Sequence, residues 1–544
     1  MKNVATVKKT NEIMVEFGIY PKKNFGQNFI VVPKTVIDIV ENSKIDQDAT
    51  IIEIGPGVGA LTDVLLDRFK KVICFEIDKT LITPLKETFK EYTNFELYNE
   101  DILKVDLVSF IEKNLKNEKV VVVSNLPYYI TSEILIKLFQ CPNVLKVVAM
   151  MQKEVAHRIL KSDKGKDENE LTILAKHYTS FKLIKEVSKN DFFPKPSIDS
   201  SVLLFDLKQN VSDITSIVKT LFKQRRKTIY NNLIEVYDKQ LVLKCLNDLH
   251  INVSLRPETL DMIDIERINA YLNQKMYFAP CKINLNLQIF DKENEKHNLK
   301  SIMQKLNLFD EIIIFEDNKL TIETYPLKVA MEDNTVYKTI KEVEKIINQP
   351  INLNIKIIKN IPSLAGLGGG SSDAGCVLKY LANKYHLNED QMLEVSAKVG
   401  SDIPSFIYDG TTLISKQGEK VKKIEDNSTF YYLLIKDNFG ISTKDAYRLF
   451  DEMNEHQTFD FASLEKGLIN NDLTLVNENL KNDLLKPAIK LDKRILKMLN
   501  ELPNSMMSGS GSAIFKIYRT LEEAQIDYEK LYKKYQFIKI LQKV

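Results

Sequence analysis

The 544-residue sequence has few of the residues that build metal sites and disulfide frameworks. It contains six histidines and five cysteines, and no two cysteines form a Cys-x-x-Cys pair. This scarcity argues against a zinc site, and an odd number of scattered cysteines is typical of reduced thiols in the cytosol. We therefore predict a cytoplasmic protein with no metal ion bound by side chains.

Long hydrophobic runs are also missing. Apolar stretches such as Val120–Val123 and Val147–Met151 are far shorter than the ~20 residues of a membrane span. The first residues lack the apolar segment of a secretory signal. We expect neither a membrane partner nor a signal peptide.

The chain has no excess of charge of either sign. It carries 76 Lys and Arg against 74 Asp and Glu, and residues 1–270 carry 39 against 37. Any nucleic-acid contact must therefore come from a local patch. The candidate is the run from Lys223 to Lys227, although an isolated run of this length is more often a solvated helix face.

The length of the chain and its hydrophobic pattern predict several domains. A single hydrophobic core stops growing at ~250–300 residues, and 44% apolar residues is typical of globular proteins. Strand-like and helix-like segments alternate over residues 50–150, beginning with Thr50–Ile54, Leu61–Phe69 and Val72–Ile77. This alternation is typical of a parallel sheet covered by helices.

The pattern changes twice further along the chain. Residues 211–272 are helix-like, with Gln224–Leu233 and Lys239–Leu249 as candidate helices, and mixed strands and helices follow residue 276. We predict an α/β domain at 1–207, a helical subdomain at 208–273 and an α+β domain at 276–544. The last is expected to divide near residue 425.

A glycine turn follows the first strand of the alternating region. Gly55, Gly57 and Gly59 would let the backbone approach a ligand without an intervening Cβ. Glu76 lies at the end of the next strand, where a carboxylate can hold ribose hydroxyls. Asp101 follows a third strand and could accept a hydrogen bond from an adenine amino group. The spacing departs from the dinucleotide fingerprint, and an ordinary turn is the alternative.

The sequence Asn125-Leu126-Pro127-Tyr128 follows a predicted buried strand. A ring amine is a poor nucleophile because its lone pair is delocalised. Its two N–H groups could donate hydrogen bonds to the Asn125 side-chain oxygen and to the Leu126 carbonyl, which Pro127 holds in place. Tyr128 offers a stacking face to a flipped base. The motif therefore predicts methyl transfer to a base, with a simple turn as the alternative.

Together these motifs resemble the ribosomal RNA adenine dimethylase family over residues 20–270. The other matching segments are Asn24–Phe29, Gln152–Val155, Phe192–Ser200 and Gln224–Thr228. The resemblance implies a Rossmann-like fold and S-adenosylmethionine-dependent N6-dimethylation of two adjacent adenines near the 3′ end of small-subunit rRNA. The implied partner is this rRNA or its 30S precursor.

The resemblance also implies roles for individual residues. The residues implied to contact S-adenosylmethionine are Asn28, Ile30, Gly55, Glu76, Asp101 and Asn125. Phe192 would line the base pocket with Tyr128, and the residues implied to bind RNA are Arg225, Arg226 and Lys227. Asn169-Glu170 departs from the Tyr-Gly usual in the family. An RNA-binding assembly factor is the alternative function.

A second glycine-rich segment lies between a predicted strand, Asn352–Ile358, and a helical stretch from Ala374. Three consecutive glycines followed by serines at a helix N-terminus make a nest of backbone N–H groups for an anion. The Walker lysine is absent. A flexible linker is the alternative, but linkers seldom join a strand to a helix.

Phosphoryl transfer also needs charge neutralisation and a positioned nucleophile. Lys282 lies early in a predicted strand and Asp402 lies in Gly400–Pro404. If the two meet, Lys282 would keep Asp402 ionised, so that it could accept a hydroxyl proton. Each alone is more typical of a surface charge. Ser508–Ser512 is a further glycine turn that could close the site.

These features resemble the galactokinase–homoserine kinase–mevalonate kinase (GHMP) superfamily over 276–544, and within it 4-diphosphocytidyl-2-C-methylerythritol kinase of non-mevalonate isoprenoid synthesis. By this resemblance Lys282 and Asp402 are catalytic, His297 and Tyr447 meet a small alcohol substrate, and the cofactor is ATP with Mg²⁺. The residues implied to bind ATP are Pro362, Ser363, Leu364, Ala365, Gly366, Leu367, Gly368, Gly369, Gly370, Ser371 and Ser372.

Two departures from this second family concern the substrate. Glu295-Lys296-His297 stands where Gly-Tyr-His is usual, and Cys281 replaces the alanine of Pro-Ala-Lys. A homoserine- or mevalonate-type alcohol is therefore the alternative substrate. The sequence as a whole predicts a bifunctional enzyme.

Overall fold

The computed structural model describes residues 1–22, 26–116, 118–161, 168–209, 211–293, 296–453, 455 and 457–544. Three motif residues, Asn24, Phe25 and Glu295, lie outside the described residues. The chain forms two compact units, Met1–Asn273 and Gln274–Val544. No helix in the described ranges is long and apolar enough to cross a bilayer.

The first unit is built on a seven-stranded sheet and a two-stranded one. Its strands are β1 Phe29–Ile30, β2 Thr50–Ile54, β3 Lys71–Phe75, β4 Phe95–Tyr98, β5 Val120–Asn125, β6 Val144–Gln152, β7 Thr179–Val187, β8 Phe192–Phe193 and β9 Ser200–Leu207. The large sheet has the order β4-β3-β2-β5-β6-β9-β7, and β1 pairs with β8. β2 to β6 are parallel, whereas β7 and β9 are antiparallel to their neighbours.

Helices connect these strands and complete the unit. They are α1 Val7–Glu16, α2 Pro33–Ser43, α3 Ala60–Arg68, α4 Lys79–Thr88, α5 Leu107–Asn114, α6 Thr131–Phe139, α7 Lys153–Lys161, α8 Glu170–Tyr178, α9 Thr215–Phe222, α10 Ile229–Leu233, α11 Lys239–Asp248 and α12 Met262–Leu272. β2 and β5 are buried and rich in β-branched residues, as expected of central parallel strands covered on both faces.

The order of the strands determines where a ligand can bind. The chain moves outward from β2 to β3 and β4, then returns to place β5 on the other side of β2. Such a reversal opens a crevice at the carboxyl ends of β2 and β5. The glycine turn follows β2 and Asn125 ends β5, so the topology brings these two motifs together.

The helical region confirms one sequence prediction and corrects another. α11 reproduces the predicted helix at Lys239–Leu249. The helix predicted over Gln224–Leu233 is wrong in its first half, because residues 223–228 form a turn and α10 begins only at Ile229. The Thr228 side chain accepts a hydrogen bond from the Asn231 N–H and so fixes this late start.

The second unit contains two mixed or antiparallel sheets. Its strands are β10 Met276–Glu293, β11 Lys296–Glu316, β12 Thr321–Tyr325, β13 Leu353–Ile358, β14 Thr412–Lys416, β15 Lys420–Lys423, β16 Tyr431–Lys436, β17 Lys481–Asn482, β18 Met506–Met507, β19 Ile514–Tyr518 and β20 Phe537–Gln542. One sheet runs β12-β13-β11-β10-β17, with β14 on β11 and β15 on β14, and the other runs β18-β19-β16-β20.

Ten helices belong to the described part of this unit. They are α13 Thr335–Ile347, α14 Gly369–Tyr385, α15 Glu389–Val399, α16 Ile403–Ile407, α17 Thr443–Met453, α18 Phe461–Ile469, α19 Leu473–Glu478, α20 Leu485–Leu491, α21 Arg494–Glu501 and α22 Leu521–Leu531. β13, the glycine segment and α14 follow one another directly, as the sequence predicts. The predicted fold class, an α/β half followed by an α+β half, is confirmed.

A buried carboxyl makes the stability of the first unit depend on pH. Glu53 lies on β2, is 1% exposed and accepts a 2.7 Å hydrogen bond from Thr62. Burial raises the pKa of Glu53 to about 7, above its ordinary 4.5, so folding favours the neutral form. Its contribution to stability is full below about pH 4.5 and is lost as the pH rises through 7.

We expect the free energy of unfolding of the wild-type first unit to fall by about 2 kcal/mol more than that of Glu53→Gln between pH 4.5 and 7. The amide keeps the acceptor for Thr62 but cannot ionise. Denaturant unfolding at several pH values measures the difference, with the exposed Glu16→Gln as the control. An equal slope in Glu53→Gln and wild type would contradict the assignment.

Candidate functional site

The crevice of the first unit is a cavity lined by several residues that the sequence singled out. Its lining includes Asn28, Ile30, Gly55, Glu76, Asn125 and Tyr128, together with Gly57, Pro127 and Tyr129. They come from the β1 segment, the ends of β2, β3 and β5, and the turn after β5. Asp101 and Phe192 are not among the lining residues.

The glycine turn after β2 permits close packing at the start of α3. Gly59 has a φ of +94°, and a Cβ there would lie 2.5 Å from the buried ring of Phe89. Only glycine fits without displacing this ring. The turn therefore brings the N-terminus of α3 and its unpaired N–H groups to the edge of the cavity.

Glu76 is held rigidly beside this turn. Its carboxylate accepts hydrogen bonds from the N–H groups of Asp78, at 2.8 Å, and Gly57, at 3.2 Å. The residue is 4% exposed, and burial raises its pKa to about 7. A fixed carboxyl next to a glycine turn is suited to accept hydrogen bonds from ligand hydroxyls.

Asn125 lines the cavity and carries an unsatisfied acceptor. Its Nδ2 donates to the carbonyl of Asn28 at 3.3 Å, and this bond determines which way the amide faces. Its Oδ1 is buried and has no hydrogen-bond partner among the described residues. A buried acceptor without a partner costs about 1–3 kcal/mol. The site therefore holds a ready acceptor for a donor on a ligand.

The residues after Asn125 are fixed by further hydrogen bonds. The Leu126 N–H donates to Met150, and the Thr131 hydroxyl donates to the Pro127 carbonyl at 2.9 Å. The hydroxyls of Tyr128 and Ser200 lie 2.6 Å apart. Because this bond restrains the phenol, the Tyr128 ring has one orientation at the cavity wall.

Two of the predicted ligand contacts, Asp101 and Phe192, are not among the residues that line the cavity. Asp101 uses Oδ1 to accept the Leu103 N–H at 3.0 Å. Phe192 is 4% exposed and packs in the hydrophobic core of the unit, opposite Ile30 in the β1–β8 pair. The roles inferred for them from the family resemblance stay predictions. Asn169, where the family pattern is broken, caps α8 with its side chain.

The basic run is partly neutralised within the unit. Lys223 and Lys227 both pair with Glu235, at 2.8 and 3.0 Å. Arg225 is exposed but donates to the Glu168 carbonyl at 3.0 Å. Arg226 is exposed and forms no ion pair with any described residue. The turn is thus less positive than its sequence suggests.

The second unit has a large open cleft of about 1320 Å³. Its lining includes Lys282, His297, the segment 361–370, Asp402 and Tyr447. Five widely separated parts of the sequence therefore meet in one cleft. Ser371 and Ser372, at the end of the predicted ATP segment, are in the first turn of α14 beside it.

The glycine-rich segment is fastened to the loop before β19. The Ser508 hydroxyl donates to the Gly366 carbonyl at 2.9 Å, and the Ala513 N–H donates to Ala365 at 3.1 Å. Gly366 has a φ of +73°, and a Cβ there would lie 2.0 Å from the Ser508 carbonyl oxygen. The segment leads into α14, which begins at Gly369. The first N–H groups of this helix belong to residues that line the cleft.

Lys282 and Asp402 lie together in the cleft. Their Nζ and Oδ2 atoms are 3.4 Å apart, and Lys282 is nearly fully buried. Lys282 also donates to Asn284 Oδ1 at 2.6 Å. Asn284 was not predicted from the sequence, although residues i and i+2 of a strand face the same side and this spacing could have revealed it.

An ion-pair cluster next to the glycine segment was also not predicted from the sequence. Lys359 donates to Asp373 at 2.6 Å and to Asp310. Asp310 also accepts the N–H groups of Asn360 and Ile361, at 2.6 and 2.8 Å. The cluster therefore fixes the backbone that leads into the glycine segment. No local pattern in the sequence joins Asp310 to Lys359.

His297 and Tyr447 are in direct contact with each other. Their ring centroids are 5.1 Å apart and the ring planes are inclined by 39°. His297 Nε2 lies 2.6 Å from Asp451, which also pairs with Lys292. At this separation no base can lie between the two rings. A base could pack only on an outer face of one of them.

Comparisons with known proteins match each half of the chain to a different family. The model of the family described as ribosomal RNA adenine dimethylase matches residues 20–274. The "Ribosomal RNA small subunit methyltransferase A" of Bacillus pumilus is 35% identical over 290 residues, which are 51% of this chain and 99% of that protein. The Staphylococcus haemolyticus protein of the same name is 39% identical over 283 residues, 49% of this chain and 95% of that protein.

The chain belongs to the ribosomal RNA adenine dimethylase family. These relatives cover about half of the chain. A second family matches part of the other half. The model described as GHMP kinases N terminal domain matches residues 334–410. Both families consist of enzymes.

Solved structures resemble either half of this family member. A 4-(cytidine 5′-diphospho)-2C-methyl-D-erythritol kinase has a TM-score of 0.42 and 23% identity, and covers 49% of this chain and 99% of its own. A Plasmodium falciparum dimethyladenosine transferase has a TM-score of 0.38 and 26% identity, with 45% and 97% covered. A Cytophaga hutchinsonii homoserine kinase has a TM-score of 0.37 and 18% identity, with 49% and 94% covered.

The contact between the glycine segment and the loop before β19 can be tested in this dimethylase-family chain. We expect Gly366→Ala to destabilise the second unit by about 3 kcal/mol, because the new Cβ would overlap the Ser508 carbonyl and the backbone is left-handed. Thermal unfolding measures the effect.

Gly410→Ala is the matched control. Gly410 has a φ of +78° but only the end of Lys423 lies within 4 Å of the position of a Cβ, so this variant carries the backbone strain without the overlap. Equal losses in the two variants would show that the packing against Ser508 contributes nothing.

Proposed function

We propose that the first half transfers methyl groups from S-adenosylmethionine to N6 of two adjacent adenines near the 3′ end of small-subunit rRNA. The buried, unpartnered Oδ1 of Asn125, in a cavity that Tyr128 also lines, is the observation that carries this proposal. Family membership and the names of the curated relatives support the choice of RNA. An rRNA substrate and a small-subunit precursor partner imply a cytoplasmic location.

The residues of the cavity fit S-adenosylmethionine. Glu76 can accept hydrogen bonds from ribose hydroxyls, and the glycine turn leaves room for a ligand beside the start of α3. When bound, this cofactor supplies an electrophilic methyl group. Asn28 and Ile30 line the same cavity.

The chain's own contribution to the reaction is to orient the amine. In this proposal, Asn125 Oδ1 and the Leu126 carbonyl accept hydrogen bonds from the two N–H groups of an adenine amine, which favours a localised lone pair at nitrogen. Tyr128 holds the flipped ring by stacking. This preorganised pair of acceptors does not need to reorganise during the reaction, which lowers the barrier.

We expect Asn125→Ala to reduce methyl transfer to undermethylated small subunits by about 100-fold, because one of the two acceptors is lost. Its affinity for the particles should not change. Transfer of labelled methyl groups and co-sedimentation measure the two properties, and Asn114→Ala on the surface of α5 is the control. Full methylation by Asn125→Ala would exclude Asn125 as an essential acceptor, whereas a wild-type chain that binds the particles without methylating them would favour the alternative of an assembly factor.

We propose that the second half is an ATP-dependent kinase that phosphorylates a hydroxyl group of a small molecule. The 3.4 Å pair of Lys282 and Asp402, in one cleft with the glycine segment, carries this proposal. The residues fit ATP, since backbone N–H groups at the start of α14 are suited to phosphates. When bound, ATP with Mg²⁺ supplies the phosphoryl group.

The side chains of the cleft can activate the acceptor hydroxyl. Lys282, held by Asn284, lies beside the carboxyl group of Asp402, which can accept the hydroxyl proton. The positive charge of Lys282 also lies where negative charge develops on the transferred group. The described residues contain no group of three or more His, Cys, Asp and Glu side chains that could hold a metal ion.

For the substrate we propose 4-diphosphocytidyl-2-C-methyl-D-erythritol, which would place the chain in isoprenoid synthesis as a multifunctional enzyme. The sequence motifs of the second half support this choice. Because His297 and Tyr447 touch, cytosine would pack on an outer face instead of between the rings. Homoserine- and mevalonate-type alcohols are the other candidates, and a panel of these alcohols assayed for ADP release distinguishes them.

We expect Lys282→Ala to abolish phosphorylation of the preferred alcohol and to leave methyl transfer at the wild-type rate, because the two sites lie in separate units. Both activities are measured on one preparation of the full chain. Lys398→Ala, an exposed change on α15, is the control. Loss of both activities in a folded Lys282→Ala protein would contradict independent sites.

A further inference from the structure

Residues 193–200, here named the mouth loop, connect β8 to β9 beside the cavity of the first unit. At one end Phe193 is paired with Phe29, which lines the cavity. At the other end the Ser200 hydroxyl lies 2.6 Å from the hydroxyl of Tyr128. The mouth loop is therefore fixed to the cavity at both ends.

The mouth loop presents an aromatic ring to solvent. Phe193 is 38% exposed, whereas the preceding Phe192 is 4% exposed in the core. Pro194 and Pro196 flank the next position and restrict the backbone, because the φ of each proline is locked. This stiff backbone holds the ring at the surface beside the cavity, where the face of a base could stack on it.

The same loop presents a cation. Lys195 is exposed and forms no ion pair with the described residues. The nearby carboxylates are engaged elsewhere: Asp191 accepts from the Thr35 hydroxyl at 2.6 Å, and Asp199 accepts the Lys189 N–H at 2.9 Å. Lys195 of the mouth loop thus differs from Lys223 and Lys227, which share Glu235.

We propose that the mouth loop binds the RNA nucleotide adjacent to the flipped adenine, with Phe193 stacked on its base and Lys195 at its phosphate. This inference rests on the proposed methyl transfer to rRNA. Extruding one base leaves a face of its neighbour unstacked, and an aromatic ring at the mouth replaces the lost contact. Every base has such a face, so the loop can serve each of two adjacent target adenines in turn.

Steady-state methyl transfer by the full chain tests the role of Phe193. We expect Phe193→Ala to raise the KM for undermethylated small subunits and the Kd for an RNA hairpin with adjacent adenines about tenfold. The affinity for S-adenosylmethionine should not change, and Phe193→Tyr should restore the wild-type KM. The control is Phe290→Ala, a comparably exposed phenylalanine of the second unit.

The salt dependence of binding tests Lys195. Because each neutralised phosphate contributes a slope of about −0.7 to −0.9 in log K against log salt, Lys195→Gln should reduce the slope by about one contact. The exposed Lys182→Gln on β7 should leave it unchanged.

Three outcomes would overturn the inference. A Phe193→Ala protein with wild-type KM would exclude stacking, and a salt slope unchanged by Lys195→Gln would exclude the phosphate contact. Weaker binding of Phe193→Ala to particles, with unchanged binding to the RNA hairpin, would assign the loop to a ribosomal protein. A wild-type chain that methylates no RNA would instead refute the proposed function itself.

Discussion

The proposed methyl transfer depends on one buried hydrogen-bond acceptor. Asn125 Oδ1 has no partner within the described protein because Nδ2 is committed to the Asn28 carbonyl and the strand end is fixed by the fold. A folded protein tolerates such a loss where a ligand later supplies the donor. Other features of the first unit shape the cavity that contains Asn125. The order of the strands opens the crevice, and the glycine turn leaves room for a ligand. The hydrogen bond with Ser200 holds the ring of Tyr128.

The site of the second unit depends on a buried charge. Here a nearly buried lysine is held by Asn284 and Asp402, and the glycine segment is fastened to a distant loop through Ser508. In both units the polar groups are placed before any substrate arrives, so little reorganisation is left for the reaction. Glycine at Gly59 and Gly366 makes both arrangements sterically possible.

The sequence predicted the features that depend on local patterns. The glycine turns, the Asn125 motif and the alternation of strands and helices could all be located, because each is written in adjacent residues. The pairing of Lys282 with Asp402 could be stated only as a condition, since it depends on how the fold places the start of α16 beside β10. The Lys359 cluster and the neutralisation of Lys223 were not visible, because both depend on side chains that only the fold brings together.

A crystal structure of the chain with a non-reactive analogue of S-adenosylmethionine and an RNA hairpin tests the central claim most directly. The account predicts that Asn125 Oδ1 accepts a hydrogen bond from the amino group of a flipped adenine, at about 2.7–3.2 Å. An Oδ1 that is still unpartnered, or an amide turned away from the base, would contradict it.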